Sequence, residues 1–360
     1  MYHIVFCGDE KYIKFISVVI YSILKNTNPS VSYKDRLPYA LADGEENQIE
    51  QYHFHIISSQ LSAETIKKIQ LLEEKCQRIF PCRIEVHLID ETIFNKYPQW
   101  NGSYGAYYRL LLGDILEPQI KYCLYLDGDM GVFSDIREIF LNDISKVCLG
   151  AVVENDQEEM QEKGNRFCIK SRTGGNDYHL YDKKLYFNTG MLLINKKLWN
   201  ENCIKDNVLQ FLNSYYAYAP DQDGINAVVG DNFKKLGFEW NVFCYDNFAY
   251  HFKRLYHAII QYDKTFHYEN TIKIRHYFVK PWNTDSRHFF HFKMIKLLLH
   301  DEWWELAQNT PVFSEEIMSI KESDEYKQKV KKNTRRAFRY KCFKFYYWLL
   351  YLKRYKMKKL

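Results

Sequence analysis

Tyr125-Leu126-Asp127-Gly128-Asp129 sets two carboxylates at i and i+2 directly after an apolar run. If that run is a strand, both side chains leave its carboxyl end on the same side. Like charges held that close repel unless a cation sits between them. Carboxylate oxygens suit Mg²⁺ or Mn²⁺, and such an ion in turn grips a diphosphate. The plainer alternative is two solvated carboxylates in a turn, because Asp-Gly-Asp is common turn chemistry. Three other segments concentrate polar groups beside apolar ones. Lys184–Asn195 places Asn188 and Gly190 just before a buried run; Ala219–Asn226 packs Asp221, Gln222 and Asp223 at a helix start; Ile272–Tyr277 ends a strand with His276, and Lys280-Pro281-Trp282 follows. Taken singly, these also read as a polar loop, a capped helix and a satisfied histidine.

The elements that must position these groups alternate. His3–Cys7 predicts a strand, and Gly8-Asp9-Glu10 then leads into an apolar helical pattern over Tyr12–Leu24. His53–Ser58 and Arg83–Ile89 follow as strands, with a helix over Ser62–Ile79 capped by Ser62 and another over Tyr104–Leu116; Lys121–Leu126 is the fourth strand. Strand, helix, strand in this order predicts a mostly parallel α/β sheet, whose ligands gather at the carboxyl ends of the strands. Val147–Val153 and Met191–Asn195 add strands, and Lys196–Tyr216 predicts a helix. Asn28–Gln51 reads as an inserted surface loop. Glu154–Lys184 is a long polar stretch that reads either as a surface loop or as a lid over a bound ligand, and Glu154 is a candidate for an acceptor side.

Composition narrows the classes. The 360 residues carry 46% hydrophobic and 26% charged side chains, which excludes wholesale disorder, and 17% aromatics, which suits ring-shaped ligands or a membrane surface. The net charge of +5 is divided unevenly. Residues 329–360 hold 13 Lys and Arg and no Asp or Glu, leaving 37 basic against 45 acidic side chains elsewhere. An acidic body argues against nucleic acid as a partner. Nine scattered cysteines without a C-x-x-C read as reduced thiols, not as a disulfide framework or a zinc site. The opening ten residues do not read as a signal peptide, and no apolar run approaches the ~20 residues of a membrane span. Neither a P-loop, a G-x-G-x-x-G fingerprint nor a G-x-S-x-G elbow occurs.

In this order the segments resemble the family 8 retaining glycosyltransferases, the group of bacterial lipopolysaccharide glucosyl- and galactosyltransferases and glycogenin. The resemblance runs from Ile4 to about Trp282 and includes Val5–Tyr12, the arginine of Ala106-Tyr107-Tyr108-Arg109-Leu110, Asp127-Gly128-Asp129, Phe187-Asn188-Thr189-Gly190, Asp221-Gln222-Asp223, and His276 with Lys280-Pro281-Trp282. It implies a GT-A-type nucleotide-diphospho-sugar transferase fold, with a Rossmann-like sheet flanked by helices on both faces over residues 1–284. A helical extension over 285–328 and the basic aromatic tail over 329–360 would follow.

The same resemblance implies a UDP-hexose donor and a Mn²⁺ ion, with Mg²⁺ as the lesser choice, held by Asp127, Asp129 and His276. Asp9 and Tyr12 would hold the uracil. Arg109, Gly128, Asn188, Gly190, Asp221 and Gln222 would surround the rest of the donor, and Lys280 would bind the diphosphate. The segment from His276 to Lys280 is shorter than in relatives and lacks their glycine. Retention of configuration then follows either from same-face attack, with Gln222 stabilising the cation, or from a covalent intermediate with Asp223 as reserve nucleophile. The acceptor would be a lipopolysaccharide or lipooligosaccharide-type glycan. Basic residues around Phe343–Leu352 would hold the tail on an anionic membrane, making the protein cytoplasmic and peripheral on the inner face. The competing reading is a catalytically inactive nucleotide-sugar-binding protein of the same fold; a nucleotidyltransferase would need a Gly-rich basic signature that residues 6–10 lack.

Overall fold

Central strands of a parallel sheet are covered on both faces and so read as continuous apolar runs. β1 (Tyr2–Cys7), β2 (Tyr52–Ser58) and β4 (Tyr122–Leu126) are buried along their whole length and are apolar apart from His3, His53, His55 and Ser58. The computed structural model describes residues 1–42, 49–100, 102–243, 272–277, 280–283 and 298–331. With β3 (Cys82–Leu88), β6 (Leu149–Asp156), β9 (Leu185–Asn195) and β10 (Lys234–Lys235), these strands form one sheet in the order β10-β6-β9-β4-β1-β2-β3. β3, β2, β1 and β4 are parallel neighbours. β9 alone runs antiparallel, between β4 and β6. The mostly parallel α/β sheet read from the sequence is therefore the observed architecture.

The short strand β5 (Met130–Val132) leaves the main sheet just after β4 and pairs antiparallel with β12 (Ile274–His276), which sets His276 opposite Met130. Helix α1 (Ile13–Lys25) buries ten of its thirteen residues, and its Ser22 hydroxyl accepts a hydrogen bond from Val132 N at 3.0 Å, fastening β5 to the helix. Helix α2 (Ala63–Cys76) is capped by Ser62, which accepts from Thr65 N at 3.1 Å. Glu10, from the loop after β1, accepts from Ser62 N and from the hydroxyls of Ser62 and Thr65, so two αβ connections are tied together at one end of the sheet.

Two predicted helices are built differently. The first is a 3₁₀ segment over Gly105–Leu111 that continues as the short helix α3 (Leu112–Ile115). The second divides into α5 (Lys196–Glu201) and α6 (Ile204–Ser214). Asn202 ends α5 by donating its side-chain amide to Leu198 O at 2.7 Å, and Cys203 then turns left-handed with φ 49°. The polar stretch Glu154–Lys184 is neither a bare surface loop nor a free flap. It folds into α4 (Gln157–Glu162) with a capping box at Asp156, and it buries Met160, Phe167, Ile169 and Leu180 in the core. The described part of the Asn28–Gln51 segment is anchored as well, by Tyr39 stacked on Tyr122 at 3.7 Å and Tyr33 donating to Glu138.

Met1–Val242 and Thr271–His276 form one compact unit, and the described residues from Tyr277 onward belong to a second. Its described residues include the helices Leu298–Asn309 and Ser314–Glu322. Trp303 and Trp304 are buried there, Trp303 against Trp282 at 4.8 Å. All seven cysteines among the described residues are free thiols. No helix among the described residues is long and apolar enough to cross a membrane. The aromatic run His288–Phe292 and the tail beyond Lys331 lie outside the described residues.

Candidate active site

β2 lies on one side of β1 and β4 on the other, so the chain reverses its direction of sheet growth between β1 and β4. The crevice at the carboxyl ends of such strands is where open α/β sheets bind ligands. Asp9 follows β1 there, and Asp127, Gly128 and Asp129 follow β4. Asp9 Oδ1 accepts from Tyr12 N at 3.1 Å, opening α1. A Cβ on Gly128 would stand 2.9 Å from both Tyr12 Cδ1 and Ile16 Cγ1, so the Asp-Gly-Asp turn lies directly on the start of that helix.

An irregularity in the sheet presents the remaining groups. β6 and β9 pair at Ala151 with Leu192 and next at Val153 with Phe187, so Val152 alone stands opposite Asn188–Met191. A bulge of this kind releases side chains from the ladder and re-aims them. Asn188, Thr189 and Gly190 are thus freed on the β6 side. Gly190 O still accepts from Asp127 N at 2.7 Å, which holds the bulge against the Asp-Gly-Asp turn.

One ligand-type atom from each of Asp127, Asp129 and His276 lies within 4.8 Å of the others. His276 Nε2 is 3.3 Å from Asp129 Oδ1 and 3.9 Å from Asp127 Oδ2. The tautomer follows from the neighbours. Asn241 donates its amide to Asn188 Oδ1 at 3.1 Å, leaving its own Oδ1 to accept from His276 Nδ1 at 3.2 Å. The Nε2 lone pair therefore faces two carboxylates, an arrangement that repels itself until a cation enters. Burial lowers the His276 pKa, only partly opposed by Asp127 and Glu154, so the ring is neutral and able to ligate. The donor set of two carboxylates and one imidazole fits Mn²⁺ better than Mg²⁺ or Ca²⁺, for which imidazole is a poor ligand.

The sequence profile of Glycosyl transferase family 8 matches residues 3–286. The chain belongs to this family. General stress protein A of Bacillus subtilis (strain 168) is 24% identical over 309 residues, covering 84% of this chain and 94% of its own. A lipopolysaccharide 1,2-glucosyltransferase of Escherichia coli is 29% identical over 203 residues, 55% of each chain. Among solved structures, the galactosyltransferase LgtC, crystallised with donor and acceptor sugar analogues, superposes with a TM-score of 0.57 at 21% identity, over 86% of this chain and 96% of its own. The WbbM bifunctional glycosyltransferase gives a TM-score of 0.63 at 18% identity, over 89% of this chain and 52% of its own.

In this family 8 glycosyltransferase, a dense hydrogen-bond network backs the two aspartates. Arg109 is buried and donates from Nη2 to Asp127 Oδ1 at 3.0 Å and from Nη1 to Thr189 O at 2.5 Å; its Nε lies 3.4 Å from Asp221 Oδ2. Burial opposes its charge, but Asp127 above all outweighs that, so its pKa moves up. Tyr125 also donates to Asp127 Oδ1, at 2.6 Å. Burial raises the Asp221 pKa, with Arg109 pulling against it. Gln222 is fixed at both ends of its amide. Oε1 accepts from Asn188 Nδ2 at 2.9 Å and Thr189 N at 3.1 Å, while Nε2 donates to Glu154 at 3.1 Å and Tyr186 Oη at 3.0 Å. Glu154 therefore stands among the same amides. Asp223 is fully buried and faces away, toward Arg166. Lys280 lies four residues beyond His276, half-buried in the second unit, where its carbonyl accepts from Asn283 N.

Tyr125, Tyr186, Arg166, Thr189 and Asn241 belong to this network and were not singled out in the sequence. The strand period of two signals Tyr125 and Tyr186, each two positions before a site residue and hence on its face. No local pattern points to Arg166 or Asn241.

Gly190 cannot bear a side chain. A Cβ there would be 2.5 Å from His276 Cε1 and 2.7 Å from Asp127 Oδ2. Gly190→Ala should therefore push apart two of the three candidate metal ligands and lower activity about 10²-fold, the scale of a 1 Å misplacement, with little loss of melting temperature. Unchanged metal affinity and turnover in that variant would show that the cluster has room to spare and does not bind metal as described.

Proposed function

We propose that this chain is a retaining hexosyltransferase that moves galactose or glucose from a UDP-sugar to a lipopolysaccharide- or lipooligosaccharide-type acceptor. The observation that carries the reading is the convergence of Asp127, Asp129 and the Nε2 lone pair of His276 beside the fixed amides of Asn188 and Gln222. Asp127, Asp129 and His276 would hold Mn²⁺, which when bound would supply Lewis-acid charge to the departing diphosphate. Asp9 and Tyr12, at the end of β1, hold the base, and Lys280 assists at the diphosphate. Arg109 pairs with Asp127 and aims it, while Asn188 and Gln222 line the place of the hexose.

The hydrogen bonding favours same-face attack. Gln222 uses both amide atoms on protein partners, and a neutral amide is a poor nucleophile. Asp223 accepts from Tyr186 Oη, Arg166, Tyr218 N and Ala219 N, so its oxygens are committed. The acceptor hydroxyl then attacks the face the diphosphate leaves and gives its proton to that diphosphate, with the Gln222 carbonyl dipole facing the developing cation. Glu154, which holds the Gln222 amide, marks the acceptor side. The acceptor class is supported by the likeness to lipopolysaccharide glucosyl- and galactosyltransferases.

The test is a panel of UDP-hexoses assayed with and without Mn²⁺ for UDP release, then with a glycan acceptor for the anomer formed. One sugar should be used preferentially, with retention. Binding of UDP-sugars without any turnover would make the chain an inactive binding protein of the same fold. For the tail, full-length protein should co-sediment with anionic vesicles in a salt-sensitive way, and a chain ending near Glu325 should not, while donor hydrolysis survives. Each Lys or Arg near such a surface contributes on the order of 1 kcal/mol, so the 13 cations of residues 329–360 are ample. Equal sedimentation of both forms would remove the tail as the anchor.

A further inference from the structure

Four histidines and a glutamate line one face of the sheet, from His3 and His53 at the amino ends of β1 and β2 to His87, which is level with Cys7 near the carboxyl end of β1. β1, β2 and β3 are parallel and in register, with His3 beside His53, His55 beside Glu85 and Ile57 beside His87. The strand period of two puts His3, His53, His55, Glu85 and His87 on that common face. From His3 to Asp9 is six residues of chain, roughly 20 Å if extended, so the His3 end of the cluster lies away from the site described above.

His3, His53 and His55 are 3%, 5% and 1% exposed, while Glu85 and His87 are half-buried and open a way in from solvent. His3 Nδ1 lies 3.0 Å from His55 Nε2, and His55 Nδ1 lies 3.0 Å from His87 Nε2. His53 Nε2 is 2.9 Å from Glu85 Oε2. One ring nitrogen from each of His3, His53 and His55 falls within 4.8 Å of the other two. A sheet interior needs no imidazoles for packing, and grouping three of them costs desolvation that apolar side chains would avoid. Burial brings the His3 pKa down to about 3 and also lowers those of His53, His55 and His87. The rings are therefore neutral near pH 7, each with a lone pair, the form that binds metal.

We propose that His3, His53 and His55 form a second metal site, for a zinc-class transition ion, which ties the amino ends of β1 and β2, with Glu85 and His87 supporting it from β3. Tetrahedral zinc with Zn–N bonds of about 2.0–2.1 Å separates two ligand nitrogens by roughly 3.3 Å, close to the spacing already present between His3 and His55. A nitrogen-rich set without thiolate selects such an ion over Mg²⁺, Ca²⁺ and Mn²⁺. His87, bonded to His55 Nδ1, turns His55 Nε2 toward the ion, and the Glu85 carboxylate beside His53 offsets its charge.

The experiment uses the full-length chain carrying Asp127→Asn and Asp129→Asn, so that the carboxylates of the first site no longer compete. After chelator treatment it is titrated with Zn²⁺ and with Co²⁺. The expected result is one ion per chain, the visible bands of tetrahedral nitrogen-ligated Co²⁺ and a raised melting temperature with Zn²⁺. Adding His53→Gln or His55→Gln should remove all three effects. Glu85→Gln, at a half-exposed position that leaves the core intact, should weaken affinity about 10- to 100-fold, and it decides the matter even if a buried histidine variant does not fold. Failure of the parent chain to bind Zn²⁺, or equal binding after Glu85→Gln, would leave a hydrogen-bonded imidazole chain without a metal and overturn the proposal.

Discussion

Asp129→Asn is expected to lower turnover of a UDP-hexose by about 10³-fold or more while the melting temperature stays near that of the parent. The substitution would weaken the hold on the cation that stabilises the developing oxyanion; losing such stabilisation costs about 3–4 kcal/mol of barrier, and each 1.4 kcal/mol is tenfold in rate. Asparagine keeps the shape of the buried Asp129 side chain but offers the ion one neutral oxygen. Asp127→Asn should lose as much activity and be less stable as well. Its carboxylate is the nearer partner of buried Arg109, at 3.0 Å, and also accepts from Tyr125. Without that charge Asp221, at 3.4 Å, is the one carboxylate left beside Arg109 among the described residues, and an under-paired buried guanidinium costs about 1–3 kcal/mol. The two variants thus separate two roles: both carboxylates face the candidate ion site, and Asp127 in addition pairs with Arg109. Donor hydrolysis read beside thermal unfolding checks both. Parent-like turnover in Asp129→Asn would sink the metal assignment.

The parts of the fold that were legible in the sequence were those carried by local periodicity. β4 is an unbroken apolar run and β1 and β2 are mostly apolar, Ser62 is a cap followed by an amphipathic pattern, and Asp127 and Asp129 sit where the β4 pattern stops. What stayed hidden depends on pairing between distant segments. The bulge opposite Val152 is set by the register of two antiparallel strands, and no composition signal marks it. His276 joins the aspartates only because β12 pairs with β5. The histidine cluster is likewise invisible locally, because His3, His53, His55 and His87 come from three strands and become neighbours through parallel register. Residues 196–216 carry a helical pattern throughout. The break there turns on one Asn202 amide and one left-handed Cys203, below what periodicity resolves. The Glu154–Lys184 stretch reads as polar because its buried residues are spaced irregularly. Besides those buried residues, it is held by an ion pair, Arg166 with Asp223, whose two members lie 57 residues apart in the chain.

That ion pair carries the other large expected effect. Asp223 is fully buried and takes both Arg166 nitrogens, at 2.8 and 3.1 Å, the Tyr186 hydroxyl at 2.6 Å, and the backbone N–H groups of Tyr218 and Ala219. Asp223→Ala would leave all of these donors short of their acceptor, and breaking a buried pair by removing one partner costs about 3–5 kcal/mol. For a unit of this size that is a fall in melting temperature of roughly 10 °C. Arg166→Ala should cost less, since the Arg166 side chain is 23% exposed and Asp223 keeps three other donors. Activity should fall in both variants, because Tyr186 also holds Gln222 and the Arg166 segment packs beside it. The discriminating measurement is Asp223→Asn, which preserves volume but turns an amide toward donors. If Asp223 is a structural carboxylate, this variant loses stability and turnover together, and mass spectrometry of parent protein quenched during turnover finds no glycosylated Asp223. A variant with parent-like melting temperature, no turnover and a trapped glycosyl ester at Asp223 in the parent would instead make it the nucleophile and overturn same-face attack.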